Sequence, residues 1–214
     1  MKSNTKLEKA ARLMQDLTPE NPANIYDFAG REYNDILDVY SAGNYQHHSI
    51  AEINQQIKVI AAQNSNGMPV NLSTNSPTNM VVIQEIIDNP RAKLDQTIVN
   101  SSMTSAAKNS LSNFMNDVLL RENNSCGEIL QFITAYESAV VANPTFRRQD
   151  KKIILTNSSI IRYSVYDNRK RKDKDWDTSV GHRARAIRGA NSNSSIVIKC
   201  SFVTAIMTQH LVAE

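Results

Sequence analysis

The chain has 214 residues, 41% of them hydrophobic, with 24 Lys and Arg against 21 Asp and Glu, a net charge of +3. That is enough apolar material for one domain or two small ones and too much for a disordered chain. No apolar run approaches the ~20 residues of a membrane span, the start MKSNTKLEKAARLM has no signal-peptide core, and Cys126 and Cys200 do not make a disulfide framework. These features point to a reducing, cytoplasmic setting (including a host cytoplasm or a virion) and to no membrane partner.

Taken in order, residues 4–17 place Leu7, Ala10, Ala11, Met14 and Leu17 at helical spacing, and Thr18-Pro19 stops that helix. Residues 20–23 read as a linker. A second helix over 26–40 carries Ile36, Leu37 and Tyr40 on one stripe, with Gly43 beyond its end; Tyr26, Tyr33 and Tyr40, seven apart, suit a core or an interface. Ser49 and Glu52 form a capping box before a helix with Ile53, Ile57 and Ile60. Residues 64–78 are polar, hold Gly67, Pro69 and Pro77, and read as a loop able to reach a neighbouring subunit. Residues 79–88 are apolar enough for a short buried helix or strand.

Asn89-Pro90 opens a long helix to about Arg121 through Leu94, Ile98, Leu111, Met115 and Val118, with a weak helix former, SSMTSAAKNS, in its middle where it can break. Ser125 and Glu128 form a second capping box, for a helix through Ile129, Ile133, Tyr136 and Val140 that ends at Asn143-Pro144. Beyond that point residues 152–156 and 159–166 are β-branched and aromatic and read as strands. Residues 182–188 alternate, residues 195–207 carry a strong strand pattern, and 189–194 read as the turn between them. The predicted fold class is therefore α+β: a helical body over 1–145 followed by a basic C-terminal antiparallel β-sheet of hairpins over 146–214.

Charge divides along the same line. Through Thr145 there are ten Lys and Arg against fifteen Asp and Glu; from Phe146 onward there are fourteen against six. The basic excess is densest over 162–188, which also holds the single tryptophan. On strands of period two, Arg183 and Arg185 share one face, and Arg162 and Tyr166 share one with Tyr163 opposite. With Arg169, Arg171, Trp176 and Arg188 these residues make a candidate surface for single-stranded nucleic acid, RNA above all. Guanidinium groups hold phosphates and rings stack on bases. Asp167, Asp173, Asp175 and Asp177 offset part of that charge.

A nucleophile reading rests on Cys126, one residue past the cap Ser125, where the helix dipole lowers a thiol pKa. His182 follows as a candidate base, with Asp177 or Asn191 to orient it. The capping box explains the same residues without catalysis. No glycine-rich phosphate loop calls for a nucleotide cofactor, and the adjacent His47 and His48 lack further ligands at metal spacing. The expectation is thus a non-enzymatic structural or assembly protein that self-associates and binds single-stranded RNA, such as a coat or nucleocapsid-like subunit, without cofactor or metal. The alternatives are a cysteine hydrolase or host-directed effector built on Cys126 and His182, and a protein-interaction module without nucleic acid.

Overall fold

The computed structural model describes residues 18–43, 45, 49–64, 77–121 and 124–171. Among them are seven helices and no strand: α1 (Phe28–Ala42), α2 (Ile50–Asn64), α3 (Pro77–Asp88), α4 (Pro90–Val99), α5 (Ser105–Leu120), α6 (Cys126–Ala142) and α7 (Arg148–Arg171). Each helix packs on the next in sequence, and α7 returns to pack most extensively on α1 and α6 and also on α5.

The α+β expectation is overturned at α7. The expected strands at 152–156 and 159–166 are parts of one 24-residue helix, and every residue from 153 to 165 is buried. A helix enclosed on all sides loses the 3.6-residue apolar stripe, so its short runs KIILT and SIIRYSVY look like buried strands by periodicity. Their β-branched residues are only mildly unfavourable in a helix, and packing overrides that preference. The polar centre of the helix bonds back to its own backbone: Asn157 Nδ2 donates to Ile153 O at 2.6 Å and Ser158 Oγ to Leu155 O at 3.2 Å. The expected strands at 182–188 and 195–207, the turn between them, the helix at 4–17 and most of the polar loop lie outside the described residues.

Elsewhere local chemistry and structure agree. Both capping boxes form. Ser125 Oγ accepts from Glu128 N–H while Glu128 accepts from Ser125 N–H at 2.8 Å, and Ser49 with Glu52 does the same. The weak segment after α4 does break the helix: Thr104 caps α5, accepting from Ala107 N–H. Residues 79–88 are helical within α3. Pro90 takes the first turn of α4, although the Asn89 side chain makes no capping bond. Tyr33 and Tyr40 are core residues. Phe114 of α5 stacks on Tyr136 of α6 at 4.0 Å between centroids, and burial raises the Tyr136 hydroxyl pKa well above its usual value.

Candidate functional site

The basic candidate residues begin at Arg162, on α7. Arg162 is 1% exposed and Tyr163 3%, so in this packing neither side chain faces solvent. The alternating faces assigned to 159–166 do not apply to a helix. Tyr166 is half-buried against the core. Arg169 and Arg171 lie in the last turn of α7, where basic residues complement the helix dipole. Trp176, Arg183, Arg185 and Arg188 lie outside the described residues, as do His182 and Asp177.

What surrounds Arg162 is a buried ion network that joins three parts of the chain. The segment before α1 turns twice, with Asn24 N–H donating to Asn21 O and Asp27 N–H to Asn24 O, each at 2.9 Å. The Asn21 and Asn24 side-chain oxygens hold these turns by accepting from Ala23 and Tyr26 N–H. Their amide nitrogens are left to point inward at Glu137 of α6: Asn21 donates to Oε2 at 2.6 Å and Asn24 to Oε1 at 3.0 Å. Ser158 donates to the same Oε1 at 2.8 Å. Arg162 places Nε 3.2 Å from Glu137 Oε2 and bonds Asp27 Oδ1 through Nη2.

Asp27 stands at the N-cap of α1, yet its side chain makes no capping bond. Its carboxylate turns to Arg162 and to the Tyr163 hydroxyl, which donates at 3.2 Å. Ser159 of α7 caps the helix instead: its hydroxyl accepts from Gly30 N–H at 3.1 Å and donates to Asp27 O at 3.0 Å. Burial first, then the Asp27 charge, pushes the Tyr163 hydroxyl up to about 12 against the opposing pull of Arg31. Arg31, exposed at the rim, lies 3.8 Å from Asp27 and adds a second positive charge to two carboxylates.

Acid–base catalysis by Asp27 and Glu137 would require access to a substrate. Glu137 is fully buried and both of its oxygens are engaged; Asp27 is 5% exposed. The arrangement clamps residues 21–27 to α6 and α7, and its work is cohesion. Sequence reasoning missed Asp27, Glu137, Asn21 and Asn24. A signal was there: Glu137 lies four residues after Ile133 and three before Val140, so it is an acid in core register.

Cys126 occupies the first position of α6 and is half-buried, its thiol donating to Val165 O at 3.9 Å. Among the described residues no group of three His, Cys, Asp or Glu is placed to hold a metal ion, and no helix is long and apolar enough to cross a membrane. No protein-family model, curated protein or solved structure matches the chain.

Proposed function

We propose that this chain is a non-enzymatic binding or assembly protein that holds single-stranded nucleic acid, RNA in preference, on its basic C-terminal third, as a coat or nucleocapsid-like subunit does. The observation that carries the reading is the division of charge: an excess of five acids through Thr145 and of eight bases after it. Such asymmetry draws one end of a protein to a polyanion. Because Arg162 and Tyr163 are engaged inside the fold, the binding set begins after them, with Tyr166, Arg169 and Arg171 leading to Trp176, Arg183, Arg185 and Arg188.

The test is the affinity of the purified chain for a labelled oligouridylate across a range of salt. Log K should fall linearly with log salt, and Arg183→Ala with Arg185→Ala should reduce the slope by about 0.7 for each phosphate no longer held. Binding without salt dependence, or unchanged in the double variant, removes the reading. Nucleic acid co-purifying in ordered particles, seen by the 260/280 nm absorbance ratio and electron microscopy, would support the assembly role.

A further inference from the structure

The two ends of α7 differ in how well folding explains their charge. Arg169, Lys170 and Arg171 stand where a helix dipole favours cations. Arg147, Arg148, Lys151 and Lys152 stand around the first turn, where the dipole opposes them. Three cations at this end have structural partners. Arg147 donates to Ser102 O at 3.0 Å and meets Asp150. Lys151 donates to Val141 O at the end of α6 at 2.7 Å, and Lys108 to Val99 O at the end of α4 at 2.5 Å. The side chains of Arg148, exposed, and Lys152, half-buried, make no hydrogen bond or ion pair with any described residue.

Acids are also sparse in the two stretches of chain that meet here. Residues 96–116 contain one charged group, Lys108, and residues 138–152 contain one acid, Asp150. Asp150 is buried and occupied by Thr104 and Arg147, and that contact joins the two stretches into one end of the molecule. Local rules are broken without a folding gain at functional or strained sites.

We propose that this end, led by Arg148 and Lys152, is a second binding surface for the sugar–phosphate backbone of single-stranded nucleic acid. The inference rests on the nucleic-acid reading above and adds a contact in the folded body to the C-terminal segment. Arg148 and Lys152, four apart, are neighbours on one helix face and can meet successive phosphates. Around them Ser105 and Gln149 are exposed, a hydroxyl and an amide of the kind that bond phosphate and sugar without reading sequence. The exposed large hydrophobics nearby are Val99 and Val141, whereas a membrane-surface helix needs a stripe of Trp, Phe and Leu. The 24 residues of α7 span about 36 Å, so one strand can engage both of its basic ends.

The experiment uses the full chain and a labelled oligouridylate, with Arg148→Ala/Lys152→Ala compared with Arg183→Ala/Arg185→Ala. The first pair should lower the salt slope by about 1.4, the equivalent of two phosphates, with an unchanged far-ultraviolet spectrum. The glutamine pair Arg148→Gln/Lys152→Gln decides the matter if alanine disturbs the helix. An unchanged slope in the 148/152 variants, with a reduced one in the 183/185 variant, overturns this inference and leaves the C-terminal reading standing. Weaker binding in the 148/152 variants alone supports the inference and moves the site away from 183–185. A wild-type chain that does not bind overturns both. Capture by phosphatidylserine vesicles that RNA does not compete away assigns the surface to a membrane and overturns the choice of partner.

Discussion

Arg162 and Asp27, 135 positions apart in the chain, form a buried ion pair that fixes the start of α1 to the middle of α7. Glu137 completes it from α6. Removing the guanidinium leaves Glu137 buried without its counter-charge and Asp27 with only Arg31 at the rim, the situation in which a broken buried pair costs about 3–5 kcal/mol. Arg162→Ala should lower the midpoint of urea unfolding accordingly. Glu137→Gln, which keeps the shape and some of the hydrogen bonds, should cost less than Glu137→Ala. A deficit in Arg162→Ala no greater than that of an exposed substitution such as Arg148→Ala would show that the network carries no stability.

Gly30 permits the close crossing of α1 and α7. A Cβ there would lie 2.4 Å from Tyr163 Cδ2 and 2.6 Å from the Ser159 carbonyl oxygen. The second neighbour is backbone and cannot swing away, so Gly30→Ala should destabilise by about 1–3 kcal/mol. Gly43 is the control. The three atoms nearest a Cβ there are ring atoms of Tyr45, 2.2 Å away at the closest, and its φ of −79° suits any residue. Gly43→Ala should therefore cost the lesser amount, as read by thermal unfolding of the two variants.

Acid should weaken the junction of α5 and α7. Burial works against the Asp150 charge, but hydrogen bonds from Thr104 and Arg147 outweigh it and hold the carboxyl below its usual range. Its stabilising contribution is thus present above the unfolded value of about 3.9 and disappears as pH falls through the lower, folded value. Asp150→Asn should be most destabilising near neutral pH, and its deficit against the parent should shrink as pH falls below about 3.9.

The outer side of α1 has the opposite sign. Burial, then the neighbouring charge of Asp35, raises Glu32; burial, then Asp38, raises Asp35 in spite of Arg31. A raised carboxyl penalises the fold while it is ionised, and the penalty vanishes below the unfolded value. Glu32→Gln should then be more stable than the parent at neutral pH and equal to it below about pH 4.3. A variant less stable at neutral pH would contradict this.

Cys126 separates the binding reading from the hydrolase one. A helix-start thiol is activated modestly by the dipole alone, whereas a catalytic thiol depends on its base. The thiol here donates to the Val165 carbonyl. Its rate of reaction with iodoacetamide should be the same in His182→Ala as in the parent. A marked fall in that variant would restore the hydrolase.

Short-range chemistry was legible in the sequence. Ser125 with Glu128, Ser49 with Glu52, Pro90 and the weak helix former around Thr104 act over a few residues, and so the helices over 28–64 and 126–142 could be placed from their own residues, as could the break between those over 90–99 and 105–120, whereas residues 79–88 were left open between a helix and a strand. The division of charge at Thr145 is likewise a property of the sequence and needs no structure. Tertiary structure alone decided the state of residues 148–171. Their apolar runs satisfy a buried strand and a fully enclosed helix equally well, and only the presence of α1, α5 and α6 around them settles which backbone pairing wins. The same enclosure decided the role of Arg162. In sequence it is one more base in a basic stretch, but burial makes an unpaired charge too costly to keep, so the arginine's partners had to be Asp27 and Glu137, 135 and 25 positions away.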